Sequence, residues 1–318
     1  MKGKPRAIVI LGDSFSNGDG VLYPNECVKH MGEEWVAECD ALLHARASAQ
    51  ISGRESKPVD EMRLNSMFEA WLPRHTSQNY SSKDFVERNG GWSKVTQRYA
   101  DIPVVNLALA GGSHESMINS LLYWASKNEF FVKNNDICVI ANYTLPALYR
   151  TSITTRWEYE SENVLEPYSK KASTSKNFSA STLHYNPHSG IEYVDKWLLH
   201  TSGLRDHEYK FCNSLMMLQQ ICENNSMSFC WSGPSSDKQA IRDWNFMELP
   251  LPYNRQISEL ESAFTTVQDY TIHVCKDQII HHGFNPYSIC SHFNRPAQSV
   301  MGQYLAKLIT DNTQWFWN

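Results

Sequence analysis

The sequence lacks several features that would each have narrowed its role at once. None of its eight cysteines forms a C-x-x-C pair, so neither a thioredoxin-like redox motif nor a paired-cysteine zinc motif is present. No run approaches the ~20 consecutive apolar residues of a membrane span. Neither sign of charge dominates: a net charge of −5 implies no general affinity for nucleic acid or an anionic membrane surface. No internal repeat and no low-complexity tract is visible. The opening Met1-Lys2-Gly3-Lys4-Pro5-Arg6 has the charge of a signal n-region, but only five apolar residues follow before Gly12. That is too short for an h-region, so no signal peptide is expected. Cys27, Cys39, Cys138, Cys212, Cys222, Cys230, Cys275 and Cys290 are then expected as reduced thiols in a cytoplasmic setting.

What is present is an ordinary globular composition, 42% hydrophobic and 20% charged, over 318 residues, enough for a substantial core. Aromatic residues make up 12% of the chain, and several, among them Trp157, Tyr159, Trp244 and Phe246, fall in stretches without period. Such stretches either line a pocket for a sugar or an apolar group, or form the cores of long insertions.

The most informative stretch is Ala7-Ile8-Val9-Ile10-Leu11-Gly12-Asp13-Ser14-Phe15-Ser16-Asn17-Gly18. A short apolar run that stops at turn formers reads as a buried parallel strand ending in a sharp turn. Open α/β sheets keep their chemistry at the carboxyl ends of strands, which makes Ser14 a nucleophile candidate. Asp13 belongs to that turn and is expected to hold it by local hydrogen bonds.

Further strands are expected over Ile102–Leu109, Asp136–Asn142 and Met227–Trp231, with Thr271–Cys275 a possible fifth. Helices are expected over Glu33–His44, Gly91–Tyr99, the segment after Ser113 (a possible N-cap), Arg205–Asn224 and the stretch beginning near Ala297. In the fourth of these, Phe211, Leu215, Leu218 and Cys222 share a face. The last follows the i, i+3, i+4, i+7, i+8 template through Ala297, Val300, Met301, Tyr304, Leu305, Leu308 and Ile309. Strand and helix alternating in this rhythm mean a parallel sheet with right-handed crossovers. The segment Ser48–Ser82 is polar and broken by Gly and Pro, and reads as an insertion or lid. Residues 150–200 read as a second insertion.

A serine hydrolase needs a nucleophile, a base and donors for the oxyanion. The base candidate is His292, in Cys290-Ser291-His292-Phe293-Asn294-Arg295-Pro296, just ahead of the final amphipathic helix. The donors would be the amide of Ser14, the amide of Gly111 or Gly112, and the side-chain amide of Asn142. Glycine at the second position lets backbone approach a substrate closely. Taken singly, Gly111-Gly112 is equally an ordinary strand-to-helix turn, and Asn142 equally a strand terminator.

In chain order the set is more specific. Gly12-Asp13-Ser14 through Gly18, Asn106 to Gly111, Asn142 after the third strand and His292-Phe293-Asn294 before the last helix resemble the blocks of the SGNH (GDSL-type) hydrolase family. The resemblance implies one domain over 1–318, with insertions at about 20–90 and 150–200. Its fold would be an α/β/α three-layer sandwich around a parallel sheet of about five strands, flavodoxin-like in kind. It implies ester hydrolysis by Ser14 with His292 as general base. The substrate would be a small-acyl ester or an acetylated carbohydrate, with no metal or organic cofactor and no nucleic-acid or membrane partner.

Two departures stand out. The family's Gly-x-Asn-Asp block reads Ile140-Ala141-Asn142-Tyr143 here, with Thr144 a possible substitute donor. Cys290 and Ile289 stand where a triad aspartate is usual, and neither Asp277 nor Asp269 has a supporting spacing. A Ser–His dyad oriented by a backbone carbonyl is one outcome. A non-catalytic binding or structural protein on the same scaffold is another. His273, Cys275, His281, His282, Cys290 and His292 form a dense cluster that raises zinc, although their spacing matches no closed zinc motif.

Overall fold

The computed structural model describes residues 6–18, 20, 31–54, 56–76, 90–109, 112–143, 151–154, 182–185, 204–233, 257, 267–289 and 292–317. Trp157, Tyr159, Trp244, Phe246, Thr144, Gly111, Cys27 and Cys290 lie outside these residues. The chain divides into two compact units. One comprises Met1–Asn17, Ile102–Thr266 and Asp311–Asn318; the other comprises Gly18–Asp101 and Val267–Thr310.

The first unit is built on a four-stranded, wholly parallel sheet. Its strands are β1 (Arg6–Leu11), β2 (Val104–Asn106), β3 (Asp136–Asn142) and β6 (Ser228–Ser232), in the order β2-β1-β3-β6. The apolar runs form strands because both faces are buried. Ala7, Val9 and Leu11 point to one side, with Ile137, Val139, Ala141, Phe229 and Trp231. Ile8, Ile10, Cys138, Ile140 and Cys230, on the alternate positions, are buried as well. Continuous apolar strands of this kind belong to parallel sheets, where neither face meets water.

The first of these faces is covered by α5 (His114–Lys127) and α7 (Leu204–Asn224), which pack on each other. Met117, Ile118, Leu121 and Trp124 of α5 meet Phe211, Leu215, Leu218 and Cys222 of α7, the side foreseen from their spacing. The start of α5 is set by Ser113. Its hydroxyl accepts from the Ser116 amide while the Ser116 hydroxyl accepts from the Ser113 amide, a reciprocal cap of two otherwise orphaned donors. Helix α6 (Glu129–Asn134) leads into β3. Near the amino ends of the strands lies α11 (Thr313–Trp317), where Trp317 donates to the Asp136 carbonyl at 3.3 Å and Arg6 lies over its ring at 5.2 Å. A two-stranded antiparallel ribbon, β4 (Thr151–Thr154) with β5 (Thr182–Tyr185), occurs inside the stretch expected as the second insertion.

The second unit contains α2 (Glu33–Ile51), α3 (Pro58–Thr76), α4 (Trp92–Ala100), α8 (Val267–Val274), α9 (Lys276–His282) and α10 (Arg295–Asp311). Two expectations are corrected here. Thr271–Cys275 is no strand: it is the end of α8 and the cap of α9, and its buried positions Thr271, Ile272, Cys275 and Ile279 repeat with a helical period. A five-residue apolar run is compatible with either structure, and here burial on one side only selects the helix. The described sheet therefore has four strands.

The second correction concerns Ser48–Ser82, most of which is regular. Helix α2 runs on to Ile51, and α3 begins at Pro58 with Asp60 and Glu61 in its first turn, favourable positions for both residue types. Leu64, Met67 and Trp71 form its buried stripe. Residues 77–82 lie outside the described set. Crossed ion pairs join α2 to α3: Arg46 grips Glu61, with Nε–Oε1 at 2.8 Å, and Arg63 grips Glu38 at 2.6 and 2.8 Å.

Candidate active site at the carboxyl end of the sheet

The strand order decides where a site can form in the first unit. From β1 the chain goes to β2 on one side, then crosses back to β3 on the other, so connections diverge from the β1/β3 junction. In open α/β sheets that divergence opens a crevice beyond the carboxyl ends of the two strands. Ser14 follows β1 there, and Asn142 ends β3.

Ser14 opens α1 (Ser14–Asn17), a single turn of helix directly after Gly12-Asp13, and is 6% exposed. Asp13 holds this turn as expected: its carboxylate accepts from the Phe15 amide at 3.0 Å and its carbonyl from the Asn17 amide at 2.8 Å. Two asparagines fix it from outside. Asn106, at the end of β2, donates its side-chain amide to the Ser16 carbonyl at 2.9 Å and accepts from the Ala108 amide at 3.1 Å. Asn142 donates to the Ser16 hydroxyl at 2.7 Å.

The glycine loop reaches the same turn. A Cβ on Gly112 would stand 2.9 Å from the Gly12 carbonyl oxygen and 2.9 Å from that of Leu109, so only glycine permits this approach. The Leu109 amide donates to the Gly12 carbonyl at 3.1 Å, a further tie between the two turns. The Gly112 amide itself donates to the Leu109 carbonyl at 2.8 Å. In this conformation Gly112 shapes the turn, and its N–H is not directed at a ligand. The other candidate donor of the loop, Gly111, is outside the described residues. Asn142 uses one N–H on Ser16 and has a second, while its side-chain carbonyl oxygen is buried with no hydrogen-bond partner among the described residues.

A scan against protein-family models finds no match, and a search of curated proteins finds none either.

His292 belongs to the second unit, where backbone bonds hold its loop closely. Its carbonyl accepts from the Ser288 amide at 2.8 Å and from the Ser288 hydroxyl at 3.1 Å, and Tyr287 pairs with Phe293 across the loop. Asn294 caps α10 by accepting from the Ala297 amide at 3.2 Å and anchors the Asn285 carbonyl at 2.6 Å. The fully buried Gln298 donates to the carbonyls of Phe293 and Gly18. His292 as a whole residue is half-buried. Of the acids weighed as its partner, Asp277 sits in the first turn of α9, and the side chain of Asp269 is not among those described.

Reading the sequence missed three residues at the sheet's carboxyl end. His114, the first residue of α5, is buried against Tyr143 and Phe211, with ring centroids 5.4 and 6.0 Å away. Tyr143 is wholly buried, bonded to Ser214 at 2.8 Å, and its phenol is pushed far up by burial. Ser232, the register partner of Asn142, is fully buried, and its hydroxyl has no hydrogen-bond partner among the described residues. Each buried polar atom left alone costs about 1–3 kcal/mol, which makes Asn142 Oδ1 and Ser232 Oγ, at the ends of two neighbouring strands, conspicuous. A strand-final serine carries no sequence signal that separates it from a turn residue.

For the zinc reading, no three His, Cys, Asp or Glu residues among those described are grouped so as to hold a metal ion. Cys39, Cys138, Cys212, Cys222, Cys230 and Cys275 are all buried free thiols. No helix among the described residues is long and apolar enough to cross a membrane.

Proposed function

We propose that the protein is a serine ester hydrolase of the SGNH (GDSL) type, with the three-layer arrangement of that family. The observation that carries the reading is the convergence, within one unit, of two other chain segments on the turn that carries Ser14. The Gly12-Asp13-Ser14 turn is approached by the Gly112 backbone and held by the Asn142 side chain. Three chain segments far apart in sequence thus meet at the switch point of the sheet, as oxyanion-hole chemistry requires.

In this reading Ser14 Oγ attacks the acyl carbon and His292 accepts its proton. The tetrahedral oxyanion is held by the Ser14 amide, the Gly111 amide and the second N–H of Asn142. His292 returns the proton to the departing alcohol, and water, activated by the same imidazole, then releases the acid from Ser14. The backbone bonding around His292 supports a dyad, because a fixed loop limits the imidazole's freedom without a carboxylate. The polar surface and aromatic-rich segments favour a small-acyl or acetylated carbohydrate ester. The reaction calls for no cofactor.

A second reading, a binding or structural protein on the same scaffold, is favoured by one fact: the Gly112 N–H is already committed to Leu109. Hydrolysis of p-nitrophenyl acetate by the wild type, Ser14→Ala, His292→Ala and His114→Gln decides between them. The esterase reading expects loss of at least ~10³-fold in Ser14→Ala and His292→Ala, little change in His114→Gln, and fluorophosphonate labelling of Ser14. Equal rates for wild type and Ser14→Ala, without labelling, would remove the esterase reading for that substrate and favour the binding protein.

A further inference from the structure

We propose that Ser232 is a positioning residue: its hydroxyl donates to the side-chain carbonyl of Asn142 and thereby aims the Asn142 amide at the oxyanion position. The proposal rests on the reading of Asn142 as an oxyanion donor given above, and it arises from two buried atoms that lack partners. Asn142 Oδ1 is an acceptor with nothing to accept from, and Ser232 Oγ is a hydroxyl with nothing to give to, among the described residues. They occupy the same register position of neighbouring parallel strands, so both side chains leave the sheet on one face. That face carries Ile140 and Cys230 two residues earlier, and the sulfurs of Cys138 and Cys230 already meet on it at 3.8 Å. With adjacent strands about 4.8 Å apart, rotation about the Ser232 Cα–Cβ bond brings donor to acceptor.

The surroundings keep these two strand ends together. The Tyr143 amide donates to the Ser232 carbonyl at 2.7 Å, extending the ladder by one bond. Gly233, at φ +140°, lies so close that a Cβ there would stand 2.3 Å from the Tyr143 carbonyl oxygen. Separation is thus fixed on both sides of the pair, and the hydroxyl rotor is the remaining freedom. The bond also resolves an ambiguity of chemistry. A primary amide can turn either end toward Ser16, since that hydroxyl both gives and accepts. A donor on Asn142 Oδ1 selects the orientation in which the NH₂ faces Ser16 and the nucleophile turn, leaving one N–H for an oxyanion.

The test uses the full chain labelled with ¹⁵N-asparagine, the Asn142 side-chain signal being assigned by its loss in Asn142→Ala. Expected in Ser232→Ala is a displaced Asn142 NH₂ pair that exchanges with solvent about tenfold faster, with a lower Tm. Ser232→Thr, which keeps the hydroxyl, restores the signal. A purely space-filling serine would leave that pair unmoved, and an unmoved pair in Ser232→Ala overturns the proposal, whether or not the protein turns over an ester. On p-nitrophenyl acetate, Ser232→Ala is expected to lower kcat about tenfold at unchanged KM. Ser232→Ala combined with Asn142→Ala should be no slower than Asn142→Ala alone; independent, multiplying losses would also overturn it. Absence of wild-type turnover would count against the esterase reading alone, because the amide signal still decides whether Ser232 holds Asn142.

Discussion

The side-chain amide of Asn106 donates to the main-chain carbonyl of Ser16 at 2.9 Å, so the end of β2 clamps the helical turn that carries Ser14. Its own carbonyl is used by the Ala108 amide, and the residue is buried. Removing such a side chain leaves a carbonyl and an amide unsatisfied at once. Asn106→Ala is expected to lower stability by about 1–3 kcal/mol and to depress esterase activity at least tenfold. Denaturant unfolding and turnover of p-nitrophenyl acetate check the two parts. A stable variant with full activity would show that the turn holds its shape alone.

Gly112 and Gly12 touch through backbone, with no room for a methyl group between them. The obstructing atoms are carbonyl oxygens, which cannot swing aside as a flexible side chain can. Gly112→Ala is therefore expected to cost about 1–3 kcal/mol and to push the loop away from Ser14. The loss should fall chiefly on kcat, since the displaced segment would supply an oxyanion donor. Unfolding midpoints together with separate kcat and KM values test this. A variant as stable as the wild type would mean that the loop has another arrangement close in energy.

Cys275 lies buried between α8 and α9, and burial pushes its thiol from the ordinary 9.0 up to about 11. Its folded value exceeds its unfolded value, so the contribution to stability is complete below pH 9 and is lost as pH rises toward 11. Folded protein at pH 8 should leave Cys275 unmodified by iodoacetamide, as mapped by mass spectrometry. Labelling that rises with a midpoint near 9 would contradict the burial.

At the acid end, Glu61 is held below its ordinary 4.5 first by its hydrogen bonds to Arg46 and then by the guanidinium charge, and Arg63 acts likewise on Glu38. Depressed carboxylates stabilise the fold above their unfolded value, so support for the α2–α3 pair should fade as pH drops below 4.5. The Arg63–Glu38 pair is exposed and the Arg46–Glu61 pair is partly buried, so Glu61→Gln should cost about 1 kcal/mol at neutral pH. Its cost should shrink toward zero at pH 3 in thermal melts. An undiminished cost at that pH would point to lost packing of the side chain.

Helices and strands were legible wherever one periodicity was unambiguous. The runs Ala7–Leu11 and Asp136–Asn142 could be read as strands because they are short, wholly apolar and bounded by turn residues. The helical spacing of Phe211, Leu215, Leu218 and Cys222 was equally plain. Thr271–Cys275 misled because five residues are too few to separate a period of 2 from one of 3.6. The helix Pro58–Thr76 was hidden by its high polarity: only a narrow stripe of it is buried.

By itself the sequence determined that a parallel sheet would form, that a serine would follow its first strand, and that Ser113 would start a helix. These are local matters, settled by hydrophobic period and by side chains that bond within a few residues of themselves. Which side chains meet was decided only in three dimensions. Strand order, which is a property of the whole chain's packing, brought Asn106, Gly112 and Asn142 onto one turn and set Ser232 beside Asn142. The bond from the Gly112 amide to the Leu109 carbonyl is local, but a Gly-Gly turn has too many accessible conformations for sequence alone to select it, and the close approach to Gly12 is what fixes it.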